Sequence, residues 1–290
     1  MKRLTALLLS LVLLLCCFAT AMAEFGDFSE KFESYFLLPG EEPYVTDRSY
    51  QSDEVCIQIS TMRAYNSDVY IADIYVRSTE NLQRGLSNNK WKGAQQRVAT
   101  IAANNNAILA LSGDNGAHLD AGWAFANGKM VRKTANKKRD LMVMYRSGEM
   151  KVYPAGKVTT KQLEAEADVI WQSFLFGPSL LDANGHALSS YNTNVGPANP
   201  RAVIGYYEPG HYCLVQVDGR STASQLESGK KNTGMKMKEL GAFIETLGCT
   251  AAYNLDGGQS AMMWFNGQVI STPYEGGRNL YDVIIIKELN

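Results

Sequence analysis

The sequence predicts an α+β fold, a single domain with a mixed, largely antiparallel sheet and a few packing helices. Three features carry that expectation. Short segments rich in β-branched and aromatic residues recur along the chain, separated by turn-forming dipeptides. Two other segments place apolar residues at helical spacing. No repeat, low-complexity linker or shift of composition marks an internal boundary, and 290 residues suffice for one large core.

At the N-terminus, Met1-Lys2-Arg3, the aliphatic run Leu4 to Leu15 and Ala21-Met22-Ala23 have the layout of a secretory signal peptide over residues 1–23. The apolar run falls short of the roughly 20 residues that span a bilayer. Lipoprotein processing at Cys16 and an uncleaved anchor are the rival readings; the bulky Leu15 before Cys16 speaks against the first. Cleavage after Ala23 removes Lys2 and Arg3 and no acid, so the net charge moves from −1 to −3. That balance offers nucleic acid no electrostatic footprint. No later stretch is long and apolar enough for a membrane span. The basic stretch Lys133 to Arg139 has no interleaved aromatics and reads as a solvated loop.

Residues 24–52 show no clean period and read as an N-terminal arm ahead of a domain over 53–290. Val55 to Arg77 reads as a hairpin turning at Asn66-Ser67-Asp68. Ala94, Val98, Ile101 and Ala102 share one helical face, and Ala107 to Leu111 follows as a short buried strand emptying into Ser112-Gly113-Asp114. Thr159-Thr160-Lys161-Gln162 resembles a capping box. Further on, Arg201 to Tyr207 and Tyr212 to Asp218 read as paired strands. Leu240, Phe243, Ile244 and Leu247 form a second helical face that ends at Gly248. A strand from Thr250 delivers the loop Asn254 to Ser260, Asn266-Gly267 marks a hairpin, and Tyr281 to Lys287 closes the chain as a strand. Past residue 23 the cysteines are Cys56, Cys213 and Cys249, an odd number. Cys213 with Cys249 is the pairing that neighbouring core strands favour; free buried thiols are the alternative. Neither Cys nor His spacing suggests zinc.

The chemistry concentrates in Asn254-Leu255-Asp256-Gly257-Gly258-Gln259-Ser260. An acid, an amide, a hydroxyl and two glycines converge there within one turn, and glycine admits positive φ and close approach of a ligand to the backbone. Taken alone, such a loop is as well explained by a tight turn in which Asp256 caps its own backbone. Its company decides otherwise. Ser112-Gly113-Asp114, Phe176-Gly177-Pro178, Asn199-Pro200-Arg201, Asp218-Gly219-Arg220 and the Asp256-Gly257-Gly258 loop occur in that order, and together they resemble the phosphodiester glycosidase family from about Tyr50 to Lys287.

That resemblance implies a secreted hydrolase that cleaves a sugar from an N-acetylglucosamine-1-phosphodiester-like glycan, with no cofactor, although calcium or magnesium would suit its carboxylates. It points to Asp256 and Asp114 as a working carboxylate pair, with Asp218 as a third acid. Arg201 and Arg220 would clamp the phosphate. Asn199, Asn254, Gly257, Gly258 and Ser260 would complete the substrate site, and an ion pair between Arg201 and Asp218 is the structural alternative. Two places depart from the family pattern: Asn115-Gly116-Ala117-His118 replaces the aromatic residues often found after Gly-Asp, and in the last loop Gln259 stands where the family keeps glycine and Ala261 where it keeps serine. Gln259 and Ala261 favour the other functional reading, a non-catalytic glycan-binding protein of the cell envelope on the same fold.

Overall fold

The computed structural model describes residues 24–119, 121–227, 229 and 231–289, so the signal-like segment lies outside the described residues. Strands dominate. Seven form the larger sheet in the spatial order Tyr44–Val45, Ser49–Gln51, Val55–Ala64, Ser67–Val76, His211–Val217, Arg201–Glu208 and Ala251–Asn254. Five form a second sheet, ordered Gln268–Val269, Met263–Phe265, Leu109–Ser112, Asp282–Ile286 and Leu82–Leu86. Smaller sheets of three strands (Met150–Tyr153, Leu141–Tyr145, Ile170–Phe174) and two strands (Gly122–Ala126, Lys129–Thr134) complete the set.

Helices are few and short, so the α+β expectation fits only loosely and the mixed sheet is corrected. Instead of one sheet there are several, and the ladders among the described residues run antiparallel. The reason is local. Many neighbouring strands are joined by turns of a few residues, whereas a parallel pair needs a crossover of a dozen or more. Between Ala64 and Ser67 the turn is Tyr65-Asn66, both at positive φ (47° and 55°), so Ser67 and Asp68 already belong to the next strand. Asn266 (φ 42°) and Gly267 (φ 89°) make the same two-residue turn where the Asn-Gly signal predicted it.

The period-2 alternation explains the layers. On the large sheet Ala72, Ile74, Ile204 and Leu214 face inward, meeting Leu109, Leu111, Met263, Ile284 and Ile286 of the five-stranded sheet in one core. The alternate residues Val69, Ile71, Val203 and Val215 face out and are covered by Leu240, Phe243 and Ile244 of the helix Met237–Thr246. Likewise Ala110, Val283 and Ile285 are covered by Val98 and Ile101 of the helix Val98–Asn104. The result is four layers, helix on sheet on sheet on helix.

Residues 24–52 do not stand off as an arm. Phe28, Phe32 and Tyr50 enter the central core, and Ser49–Gln51 pairs with Val55–Ala64. All three cysteines are free. Cys213 and Cys249 bring their sulfurs to 3.7 Å across Gly205, where an added Cβ would lie 2.6 and 2.7 Å from the two sulfur atoms. Among the described residues no helix is long and apolar enough to cross a membrane.

Candidate active site

Strand register gathers the motifs at one end of the sandwich. Arg201 pairs with Val217 and Val203 with Asn254, so Arg201, Asp218-Gly219-Arg220 and the Asp256 loop leave the same edge of the large sheet. From the opposing sheet, Val283 pairs with Ser112 and brings Gly113 and Asp114 beneath them. The two edges are tied together. The Asp256 amide donates to the Gly113 carbonyl at 2.9 Å, and the Ser112 hydroxyl donates to the Asp256 carbonyl at 3.0 Å.

Each glycine of the loop has its own reason. An added Cβ on Gly257 would lie 2.5 Å from the Pro200 carbonyl oxygen, whereas Gly258 sits at φ 61°. The loop's own N–H groups are largely spent: Gly258 donates to Pro200 at 2.9 Å and Ser260 to Gly257 at 3.1 Å. Charge for a ligand at this loop is therefore offered chiefly by side chains rather than by its backbone.

The loop borders a cavity of about 310 Å³ lined by Asp256, Gly257, Gly258 and Gln259, with Arg201, Arg220, Arg278, Asn199, Phe176 and Val195 around them. Among the described residues Asp256 is its one carboxylate. Arg278 donates to Asp256 Oδ2 at 2.7 Å, and the buried Ser260 hydroxyl donates to the same oxygen at 2.6 Å. Burial holds the Asp256 carboxyl above its ordinary range, against the pull of Ser260 and Arg278. Arg220 reaches Asn199 Oδ1 and lies 5.5 Å from the Tyr274 ring. Arg201 is buried and spends its guanidinium on carbonyls, donating to Met235 at 2.9 Å, Val195 at 2.7 Å and Pro197 at 2.6 Å. Burial and the neighbouring Arg220 pull its pKa down to about 10. Among the described residues neither Arg201 nor Arg220 is in an ion pair with a carboxylate, so the Arg201–Asp218 pair is not formed. Three guanidiniums against one carboxylate leave the cavity positive.

The other expected acids do not line this cavity. Asp114 is buried and accepts from the amides of Gly116 at 2.7 Å and Leu175 at 2.6 Å. Beside it Arg84, 1% exposed, lies 3.5 Å from Asp114 Oδ1 and 3.4 Å from Asp282 Oδ2, and donates to the Ser173 carbonyl at 2.6 Å. Asp282 also accepts from the Asn115 amide at 3.2 Å, and a Cβ on Gly113 would lie 2.7 Å from it. Burial, then the Asp114 carboxylate, pushes Asp282 well above the usual carboxylate range. Asp114 thus belongs to a buried Asp114–Arg84–Asp282 cluster that fixes the loop beneath Asp256. Its reach is short because backbone amides on two segments hold both its oxygens.

Asp218 accepts from the Thr272 amide at 3.0 Å, and burial raises it to about 6. Below pH 3.8 the folded and unfolded chains both carry this proton; between 3.8 and about 6 only the folded chain keeps it. Stability is therefore lost as pH rises through that window, by roughly 3 kcal/mol. In urea unfolding followed from pH 4 to 7, the native protein is expected to lose stability relative to Asp218→Asn, whose neutral amide still accepts from Thr272. Parallel pH profiles would contradict this.

The remaining expected residues hold the frame. Asn254, fully buried, donates to the Gly177 carbonyl at 2.8 Å and so carries Phe176 to the cavity wall. Gln259 lines the rim and donates to Glu275 at 3.1 Å, while Ala261 is buried away from the cavity. Arg278, Arg84 and Asp282 were missed by sequence reasoning. The signal for Arg278 was Gly276-Gly277 before it, both at positive φ and held by Arg97 donating to their carbonyls. Among the described residues no group of three Asp, Glu, His or Cys side chains converges as a metal site needs.

The strand ends of this sandwich surround one buried carboxylate with arginines, which makes a cavity suited to an anion. A profile of the phosphodiester glycosidase family matches residues 92–287, and the chain belongs to that family. The fold is shared with the catalytic domain of zebrafish N-acetylglucosamine-1-phosphodiester α-N-acetylglucosaminidase, in a form auto-inhibited by pro-peptide (TM-score 0.62, 19% identity, 81% of this chain and 83% of that one). It is shared as well with a hypothetical protein from Synechocystis (TM-score 0.59, 12% identity, 85% of this chain and 64% of that one). No curated protein matches the chain by sequence.

Proposed function

We propose that this protein is an exported hydrolase of the cell envelope or extracellular space that releases a sugar from a glycosyl-1-phosphodiester glycan. The observation that carries the reading is the pairing of Asp256 with Arg278 in a cavity that also holds Arg220 and Arg201. Arg220 and Arg278 hold the phosphate oxygens, and the buried charge of Arg201 draws the anion inward. Asp256, ionised, accepts a proton from water as the water oxygen bonds to the anomeric carbon. The bond from that carbon to the bridging oxygen breaks, and its electron pair leaves with the phosphate. A phosphate ester stabilised by arginines is a good leaving group, so one carboxylate suffices where an ordinary glycoside needs two. Ser260 and Arg278 hold Asp256 in the orientation this requires, and the Asp114–Arg84–Asp282 cluster holds the loop below it.

Arg220 sits at φ 52°, which asparagine tolerates, so Arg220→Asn removes the guanidinium without straining the backbone. It is expected to lower kcat/KM on N-acetylglucosamine 1-(methyl phosphate) by roughly 10- to 100-fold, with the inhibition constant measured for free N-acetylglucosamine unchanged. Equal weakening of both would remove the phosphate-holding role.

A further inference from the structure

The Asp256 cavity does not end at its wall. Phe176 and Val195 line it and also line a second cavity of about 330 Å³, whose far side is made by Lys138, Arg139, Asn192 and Asn194. The basic stretch that reads in sequence as a solvated loop thus splits in two. Lys133 is neutralised by Glu164. Lys138 is exposed and, among the described residues, has no carboxylate partner, and no acid lines this second cavity.

The wall between the cavities is built on both sides. Arg139 donates to the Phe176 carbonyl at 2.8 Å, and Asn192 donates to the Lys138 carbonyl at 2.8 Å, which anchors the basic loop on residues 192–195. From the other side Arg201 donates to the Val195 carbonyl. The same arginine therefore borders the first cavity and braces the wall it shares with the second.

We propose that the second cavity is a subsite for the next phosphate of the substrate chain, so that the substrate is a polymer of repeating sugar phosphates. The inference rests on the function proposed above and names its substrate class. With the first phosphate held by Arg220 and Arg278, the chain leaves between Phe176 and Val195 and presents its next negative charge to Lys138 and Arg139. A polyphosphodiester carries one charge per repeat and matches two separate basic subsites joined by a neutral wall. Single-stranded nucleic acid fits less well, because among the described residues Phe176 is the one aromatic lining either cavity and the chain is slightly acidic overall.

The test compares KM for N-acetylglucosamine 1-(methyl phosphate) with KM for a short oligomer of N-acetylglucosamine 1-phosphate, in native protein and in Lys138→Glu. The native protein is expected to show a KM about twofold to fivefold lower for the oligomer, since one exposed charge contact adds only that much. Lys138→Glu is expected to erase the difference while leaving kcat and the monomer KM unchanged. Equal KM values in native protein, or equal effects of the variant on both substrates, would overturn the proposal. So would single-stranded DNA competing as strongly as the oligomer. If neither substrate is cleaved, the hydrolytic reading fails and the subsite is read separately by equilibrium binding of the oligomer. Weakening of about fivefold in Lys138→Glu supports the subsite, and unchanged binding overturns it.

Discussion

Asp256→Asn is expected to lower kcat on a sugar-1-phosphodiester by roughly 10²- to 10⁴-fold, the range that a positioned general base supplies. The fold should survive. An amide oxygen at the same place still accepts from Ser260 and Arg278, and the Arg278 side chain, 44% exposed, stays solvated when its ion pair is lost. Thermal unfolding should therefore move little while turnover disappears. The pH profile of the native protein carries the same information. The carboxyl must be ionised to accept a proton, and burial raises its pKa, so kcat/KM should climb with pH through an acid limb above the ordinary carboxylate range. A limb at the pKa of a free aspartate, or a loss of stability matching the loss of activity, would reduce Asp256 to a turn residue.

The second large effect concerns stability. Arg84→Met keeps most of the side chain's length against Phe174, whose ring lies 4.0 Å from the guanidinium, but strips the cation from between Asp114 and Asp282. Breaking a buried ion pair by removing one partner costs about 3–5 kcal/mol, because the remaining charge is left buried and uncompensated. The sign with pH follows from the carboxylates that remain. Burial raises the Asp282 carboxyl, which is neutral when protonated, so the deficit should shrink as pH falls and deepen as it rises. Asp282, held well above the usual carboxylate range, is charged only toward alkaline pH, so adding Asp282→Asn should restore part of the loss at pH 8 and little at pH 5. Urea unfolding of the single and double variants at pH 5 and 8 checks this; a deficit under about 1 kcal/mol that ignores pH would mean the cluster contributes little.

What the sequence made legible was local. Hairpin dipeptides such as Asn266-Gly267, the alternating faces of Arg201–Glu208 and the i, i+3, i+4 face of Met237–Thr246 all depend on neighbours in the chain, and these fell where expected. The Asp256 loop was found for the same reason. Its glycines are demanded by contacts at Pro200 and by a positive φ, and both leave their mark as residue type. What stayed hidden depends on long-range pairing. Arg84, Asp114 and Asp282 come from three strands or strand ends far apart in sequence, and no spacing rule joins them. Asp114 and Asp218 looked like working acids because an aspartate beside glycine in a loop has the same letters whether it faces a cavity or accepts from backbone amides. Residues 24–52 lacked a period because their contribution is single aromatic anchors, Phe28, Phe32 and Tyr50.

The central claim is that water attacks the anomeric carbon with Asp256 as its base and the arginine-held phosphate as leaving group. The most direct measurement is hydrolysis of N-acetylglucosamine 1-(methyl phosphate) by the purified protein in ¹⁸O-labelled water, with both products analysed by mass spectrometry. The account predicts the label at the anomeric position of the released sugar and unlabelled methyl phosphate. Label in the phosphate would mean attack at phosphorus, and would contradict it.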